Sequence, residues 1–130
     1  MNNLKVIILA AGQGERLRPL TENIPKCMVN FLGKSILKRQ IDIFRNLGIN
    51  DISVVTGYCD DKVNLDNITK FKNKNFMTTN MVESLFTAEE KLTDSVIVSY
   101  GDIIFESNII QNLINSRHDI SVVVDKNWKN

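Results

Sequence analysis

Four consecutive apolar residues, Val6-Ile7-Ile8-Leu9, run straight into Ala10-Ala11-Gly12-Gln13-Gly14-Glu15-Arg16, and this junction restricts the available folds more than any other feature of the chain. The run is too short to span a bilayer, and its β-branched content suits a strand buried on both faces. The loop it delivers has almost no side chain at Ala10, Ala11, Gly12 and Gly14, so phosphate oxygens can approach the backbone N–H groups. Arg16 then offers a planar fork of donors, and Lys26, placed after Pro25, offers a compact charge that can follow a moving phosphoryl group. Leu9 to Lys26 is therefore a triphosphate cradle with two cationic clamps. Two other glycine-rich loops are excluded: a dinucleotide fingerprint needs glycine where Leu17 stands, and a Walker A loop needs Gly-Lys followed by Ser or Thr.

Downstream, Cys27 to Phe31 reads as a short strand closed by Gly33. Ile36, Leu37, Ile41, Phe44 and Leu47 recur at helical spacing, with Lys38, Arg39, Asp42 and Arg45 on the opposite face. Ser35 caps that helix and Gly48 ends it. Ile52 to Thr56 is the next strand, and strand, helix, strand makes a right-handed parallel crossover. A short helix and an exposed loop are expected over Asp60 to Lys74, then a short strand from Asn75 to Thr79. Asn80, with Glu83 three positions on, opens a helix to about Leu92. Ser95 to Ser99 is a buried strand leading to Tyr100-Gly101-Asp102. Ser107 caps a helix to about Ser116, and Asp119 to Val124 is the last strand. This alternation predicts one domain over 1–130, a three-layer α/β/α sandwich with a mostly parallel sheet.

In such a sheet, ligands bind at the carboxyl ends of the strands where the order switches. Asp102, just past a buried strand, can hold Mg²⁺ through one oxygen while phosphates supply others, or it can simply begin a turn. Asn80 can cap its helix, contact a base or acceptor, or do both. His118, the one histidine, reads as a surface residue. The formal net charge of +1 gives no global case for nucleic acid or an acidic membrane surface. Cys27 and Cys59 match neither a disulfide framework nor a zinc motif, and both read as small buried thiols. With no signal-like segment, a cytoplasmic protein is expected.

Leu9-Ala10-Ala11-Gly12-Gln13-Gly14-Glu15-Arg16-Leu17, followed by Pro19-Leu20-Thr21 and Pro25-Lys26, resembles the signature of the sugar-nucleotidyltransferase superfamily. Its members transfer a nucleoside monophosphate from an NTP to a phosphorylated acceptor and release pyrophosphate. The resemblance implies a Rossmann-like sheet, Mg²⁺ as cofactor and Tyr100-Gly101-Asp102 as the metal-binding element. It also implies a nucleobase and ribose lying over Leu9, Ala10, Ala11 and Gly12, near Gly57 and Tyr58. Thr79 to Leu85, including Asn80 and Ser84, together with Val98 to Asp102 and Asp119 to Asp125, is similar to cytidylyltransferases acting on phosphocholine, aminoethylphosphonate and related acceptors. It implies transfer of CMP from CTP to such an acceptor, or to a phosphorylated amino acid, for decoration of a cell-surface polysaccharide. Lys26 and Arg16 would be the catalytic cations. Transfer of UMP, GMP or dTMP to a sugar 1-phosphate, and a non-catalytic nucleotide-binding or subunit-interaction module, are the alternatives. Superfamily members run well beyond this length, so the chain is expected to be a C-terminally truncated, nucleotide-binding portion. A second metal carboxylate would then come from Asp125, from later sequence, or from a partner chain in a homodimer.

Overall fold

The computed structural model describes residues 4–12, 14, 16, 18–78, 80–116 and 118–124. β1 (Leu4–Leu9) enters the cradle, and Lys26–Met28 then forms one 3-10 turn. A small antiparallel hairpin follows, β2 (Asn30–Phe31) with β3 (Lys34–Ser35). α1 (Ile36–Asn46), β4 (Asp51–Thr56), β5 (Thr69–Lys72), α2 (Met81–Thr87), β6 (Ser95–Tyr100) and α3 (Ser107–Asn115) complete the order. The main sheet has the order β5-β4-β1-β6, with every pair parallel. Strands added after β1 go first to one side of it and then to the other, so the order switches at β1.

Alternation along β1 splits the core. Val6 and Ile8 pack with Leu37, Ile41 and Phe44 of α1, Val54 of β4, and Ile110 of α3. Ile7 and Leu9 point the other way, to Val55 and Ala88, with Leu85 of α2 against them. Helices therefore cover both faces, as the β-branched first strand required. α1 begins as expected: the Ser35 hydroxyl accepts from the Lys38 N–H at 3.1 Å. Gly48, at φ +85°, turns the chain out of it. Among the described residues, no helix is long and apolar enough to cross a membrane.

Several expected elements are corrected. Cys27 to Phe31 is a strand only at its last two residues, because Met28 N–H bonds Pro25 O at 3.0 Å and Val29 N–H bonds Lys26 O at 3.1 Å, closing a helical turn first. The expected loop between Asp60 and Lys74 contains β5 after one 3-10 turn at Asp60–Lys62. β5 is an edge strand in which only Phe71 is half-buried, so it carries little apolar signal, and its lysines suit an unpaired edge. No strand forms over 75–78, where Thr78 N–H closes a turn onto Asn75 O at 3.0 Å; Thr79 lies outside the described residues. α2 is shorter than expected and gives way to a 3-10 turn at Glu89–Lys91. Glu106 takes the cap position of α3, with Ser107 as its first residue. Residues 119–124 make no ladder with any described strand, and Ile120, Val122 and Val124 are exposed. A β-branched run is a strand only when a neighbour completes its hydrogen bonds.

Candidate functional site

The carboxyl ends of β1, β4 and β6 converge, and their backbones continue to bond beyond the strands. Gly101 N–H donates to Leu9 O at 2.8 Å, Ala10 N–H to Val55 O at 2.8 Å, and Tyr58 N–H to Ala11 O at 3.2 Å. Glycines permit this closeness. A Cβ on Gly101 would lie 2.9 Å from Ala10 Cβ, and one on Gly57 would lie 2.7 Å from Phe76 Cβ and 3.1 Å from Ala11 Cβ. Gly14 is needed twice over: its φ is +64°, and a Cβ there would lie 2.9 Å from Lys26 Cβ. The buried Thr21 fixes it, donating its hydroxyl to Gly14 O at 2.6 Å, while the Tyr58 hydroxyl bonds Thr21 O and Glu22 O at 2.6 and 2.8 Å.

Lys26 thus stands across a gap from the acid after β6. Its Nζ lies 2.9 Å from Asp102 Oδ2, with both side chains about one-third to two-fifths exposed. The cleft between the two loops has a volume of about 440 Å³. Arg16, Lys26 and Asp102 are its charged lining residues, and Gly12 and Gly14 line it too. Leu9, Ala10, Phe76 and Met81 supply an apolar wall. A cavity lined by both charged and apolar groups suits a ligand that carries both, such as a nucleoside triphosphate. Cys27, next to Lys26, also borders the cleft; burial pushes its thiol up to about 12, with the nearby Asp102 charge adding to the rise. It is a thiol at neutral pH.

Arg16, Lys26, Leu9, Ala10, Gly12, Gly14 and Asp102 therefore meet in one place, with Ala11, Gly57 and Tyr58 directly behind. Asn80 and Ser84 are placed differently. Asn80 caps α2, its Oδ1 accepting from Glu83 N–H at 3.0 Å. Ser84 is buried, and its hydroxyl accepts from Asn73 Nδ2 at 3.0 Å. Asp125 lies outside the described residues. Among the described residues, no group of three or more His, Cys, Asp or Glu side chains converges on a metal position. One half-exposed carboxylate opposite a phosphate loop nonetheless fits Mg²⁺, which keeps water and takes most of its remaining ligands from a polyphosphate.

Three contributors were missed in the sequence. In the sequence Phe76 reads as strand and Met81 as a helix start, and only the tertiary fold brings them to the cleft. Gln40 was detectable: it shares the apolar face of α1 with Ile36, Leu37, Ile41 and Phe44, and a polar residue at such a position needs a buried partner. It is 1% exposed. Its Nε2 donates to Tyr100 O at 2.7 Å and Ile103 O at 2.8 Å, and its Oε1 accepts from the Ser99 hydroxyl at 3.0 Å.

A family model described as MobA-like NTP transferase domain matches residues 6–129. The chain is 38% identical over 138 aligned residues to a CTP:phosphoglutamine cytidylyltransferase of Campylobacter jejuni, covering 96% of this chain and 54% of that protein. A solved structure of the CTP:phosphocholine cytidylyltransferase of Streptococcus pneumoniae superposes with a TM-score of 0.66 at 38% identity, over 73% of this chain and 44% of that one. The inositol-1-phosphate CTP transferase of T. maritima superposes with a TM-score of 0.70 at 25% identity, over 84% and 47%. The chain spans about half the length of the curated relatives it matches.

Proposed function

The chain belongs to the MobA-like NTP transferase domain family, and from that premise we propose that it is the nucleotide-binding portion of a Mg²⁺-dependent cytidylyltransferase. The reaction moves CMP from CTP to a small phosphorylated or phosphonate acceptor. An acceptor oxygen forms a bond to the α-phosphorus, the bond from that phosphorus to the β-phosphate bridging oxygen breaks, and pyrophosphate leaves. The observation that carries this is the placing of Lys26 Nζ 2.9 Å from Asp102 in a cleft lined by Gly12 and Gly14. CTP as donor is supported by three similar proteins whose names specify it, with phosphoglutamine, phosphocholine and inositol 1-phosphate as the acceptors.

Each group has a distinct task. Arg16 binds the β- and γ-phosphates, whose charge grows as they depart. Lys26 exchanges Asp102 for the α-phosphate and the incoming anion, holding two negatively charged reactants together. Asp102 would hold Mg²⁺, which would supply further neutralisation of the phosphates. The cytosine lies against the wall that includes Phe76 and Met81, and the N–H groups of the glycine loop face the phosphates. No general base is needed, because the attacking oxygen is already anionic.

A panel of CTP, UTP, GTP and dTTP against phosphocholine, aminoethylphosphonate, a phosphorylated amino acid and a sugar 1-phosphate, with pyrophosphate release as readout, tests this. CTP with one of the first three acceptors is expected to turn over. UTP with a sugar 1-phosphate as the productive pair would replace the proposal, and CTP binding without turnover by any acceptor would reduce the chain to a nucleotide-binding module.

A further inference from the structure

The proposed chemistry needs the Asp102 carboxylate at a fixed height above the glycine loop, yet Asp102 sits in an exposed turn after an edge strand. Among the described residues its side chain bonds Lys26 alone, and that pair must open when phosphate arrives. Something else has to hold the turn, and the backbone contact of Gly101 to Leu9 secures only its near end.

We propose that Gln40 is a positioning residue for Asp102 and, through it, for the metal and phosphate end of the cleft. The two hydrogens of its amide nitrogen go to the carbonyls of Tyr100 and Ile103, which bracket Gly101-Asp102, and its amide oxygen takes the Ser99 hydroxyl from the strand just before. A primary amide is the side chain this requires: two donors on one atom reach two carbonyls at once, and an acceptor remains for the hydroxyl. A carboxylate there would oppose the same two carbonyl oxygens, and an apolar residue would remove both amide bonds and leave the Tyr100 carbonyl with the longer 3.5 Å contact from the Ser99 hydroxyl.

Gln40 also sits on the helix that seats the opposite wall. Ile36 N–H at the start of α1 donates to Val29 O at 3.2 Å, and Cys27, next to Lys26, packs in the cluster with Leu37 and Ile41. Gln40 thus ties the acid's turn to the same rigid body that supports the lysine's turn.

This assignment rests on the Mg²⁺ and nucleotide role proposed for Asp102, so two independent readouts are needed. Gln40→Met keeps the volume and removes all three bonds; Ile41→Val, buried beside it on α1, serves as a control for simple loss of packing. Amide hydrogen exchange reports the turn without any ligand, and the free Mn²⁺ electron paramagnetic resonance signal in the presence of CTP reports the metal end. In Gln40→Met, exchange at Gly101 to Ile104 should quicken by roughly tenfold or more, and Mn²⁺·CTP affinity should fall by about tenfold. Ile41→Val should change neither beyond its effect on global unfolding. In an Asp102→Asn background, adding Gln40→Met should cost no further Mn²⁺·CTP affinity, since Gln40 acts only through the acid. Equal exchange at the turn in the two single variants would overturn the proposal. So would quickened exchange with unchanged Mn²⁺·CTP binding, or a further loss in the double variant equal to that of Gln40→Met alone. A wild-type chain that binds no Mn²⁺·CTP would instead overturn the functional proposal, while the exchange measurement still decides whether Gln40 holds the turn.

Discussion

The two faces of the sheet are built to different standards. Against α1 and α3, a cluster from Val6 to Ile110 closes over fully buried Leu37, Ile41 and Phe44, with Phe105 meeting Phe44 at 5.7 Å between ring centroids. Against α2, four buried residues, Ile7, Leu9, Val55 and Ala88, are flanked by half-buried neighbours, while Val98 and Tyr100 on β6 stay exposed. Burial stabilises in proportion to the apolar area removed from water, so folding energy is concentrated on the first face. The charged groups of the cleft, Arg16, Lys26 and Asp102, lie outside both clusters and the Lys26–Asp102 pair is partly exposed, whereas the apolar lining residues Leu9, Ala10 and Cys27 belong to the clusters themselves. The charged groups proposed to do the chemistry are therefore separate from the residues that carry most of the stability, and only the apolar lining is shared between them.

Phe44→Ala is the strongest attempt to break that separation. It should cost about 3–5 kcal/mol in urea denaturation, while CTP affinity of the remaining folded protein stays close to wild type. A large loss of affinity in the folded fraction would show that the first core shapes the cleft directly. Lys26→Ala is the converse. Pyrophosphate release should fall roughly 10²–10³-fold, the loss usual for one preorganised charge-stabilising donor, with a stability change within about 1 kcal/mol, as for exposed ion pairs generally. Retained turnover would remove Lys26 from its assigned role. Leu85→Ala, on the thinner face, should cost about 1–2 kcal/mol, below the range for fully buried leucines; a loss matching Phe44→Ala would erase the difference between the faces.

The smallest effect is pH-dependent. The Thr56 hydroxyl and the nearby Lys70 hold the Asp60 carboxyl below its ordinary 3.8. Asp42 is likewise lowered, first by its bond to Lys38 and then by Lys34. A depressed folded value means that each carboxylate stabilises the fold above the unfolded value, and that this stability disappears as pH falls through the folded value. Denaturation midpoints should therefore be flat from neutrality to about pH 5 and drop below about pH 4. Asp60→Asn should shrink that drop by lowering the midpoint at neutral pH, where the carboxylate's contribution is present, more than at about pH 3. An identical acid profile would mean that Asp60 gains nothing from Thr56.

Much of this was legible in the residues. Val6 to Leu9 declared a doubly buried strand, Ser35 and Gly48 marked both ends of α1, and the expectation that the glycine-rich run, Arg16, Lys26 and Asp102 come together is met in one cleft. What escaped has physical causes. β5 buries a single half-covered phenylalanine, so no alternation distinguishes it from a loop. Residues 119–124 have the composition of a strand, but composition does not supply a pairing partner. Phe76 enters the cleft because Gly57 leaves room for it, a contact made across 19 positions of sequence that no local pattern encodes. Gln40 could have been found by asking why an amide interrupts an apolar stripe.

Gly14, Gly57 and Gly101 share a property that matters beyond conformation. At each, the missing methyl is space already occupied by a neighbour: Lys26, Phe76 and Ala10. Alanine at any of the three would act as a wedge, prising apart strand ends or displacing a wall while the helices underneath stayed seated. The cleft's dimensions are thus set by subtraction, and three hydrogen atoms in place of three methyl groups fix how far apart its walls stand.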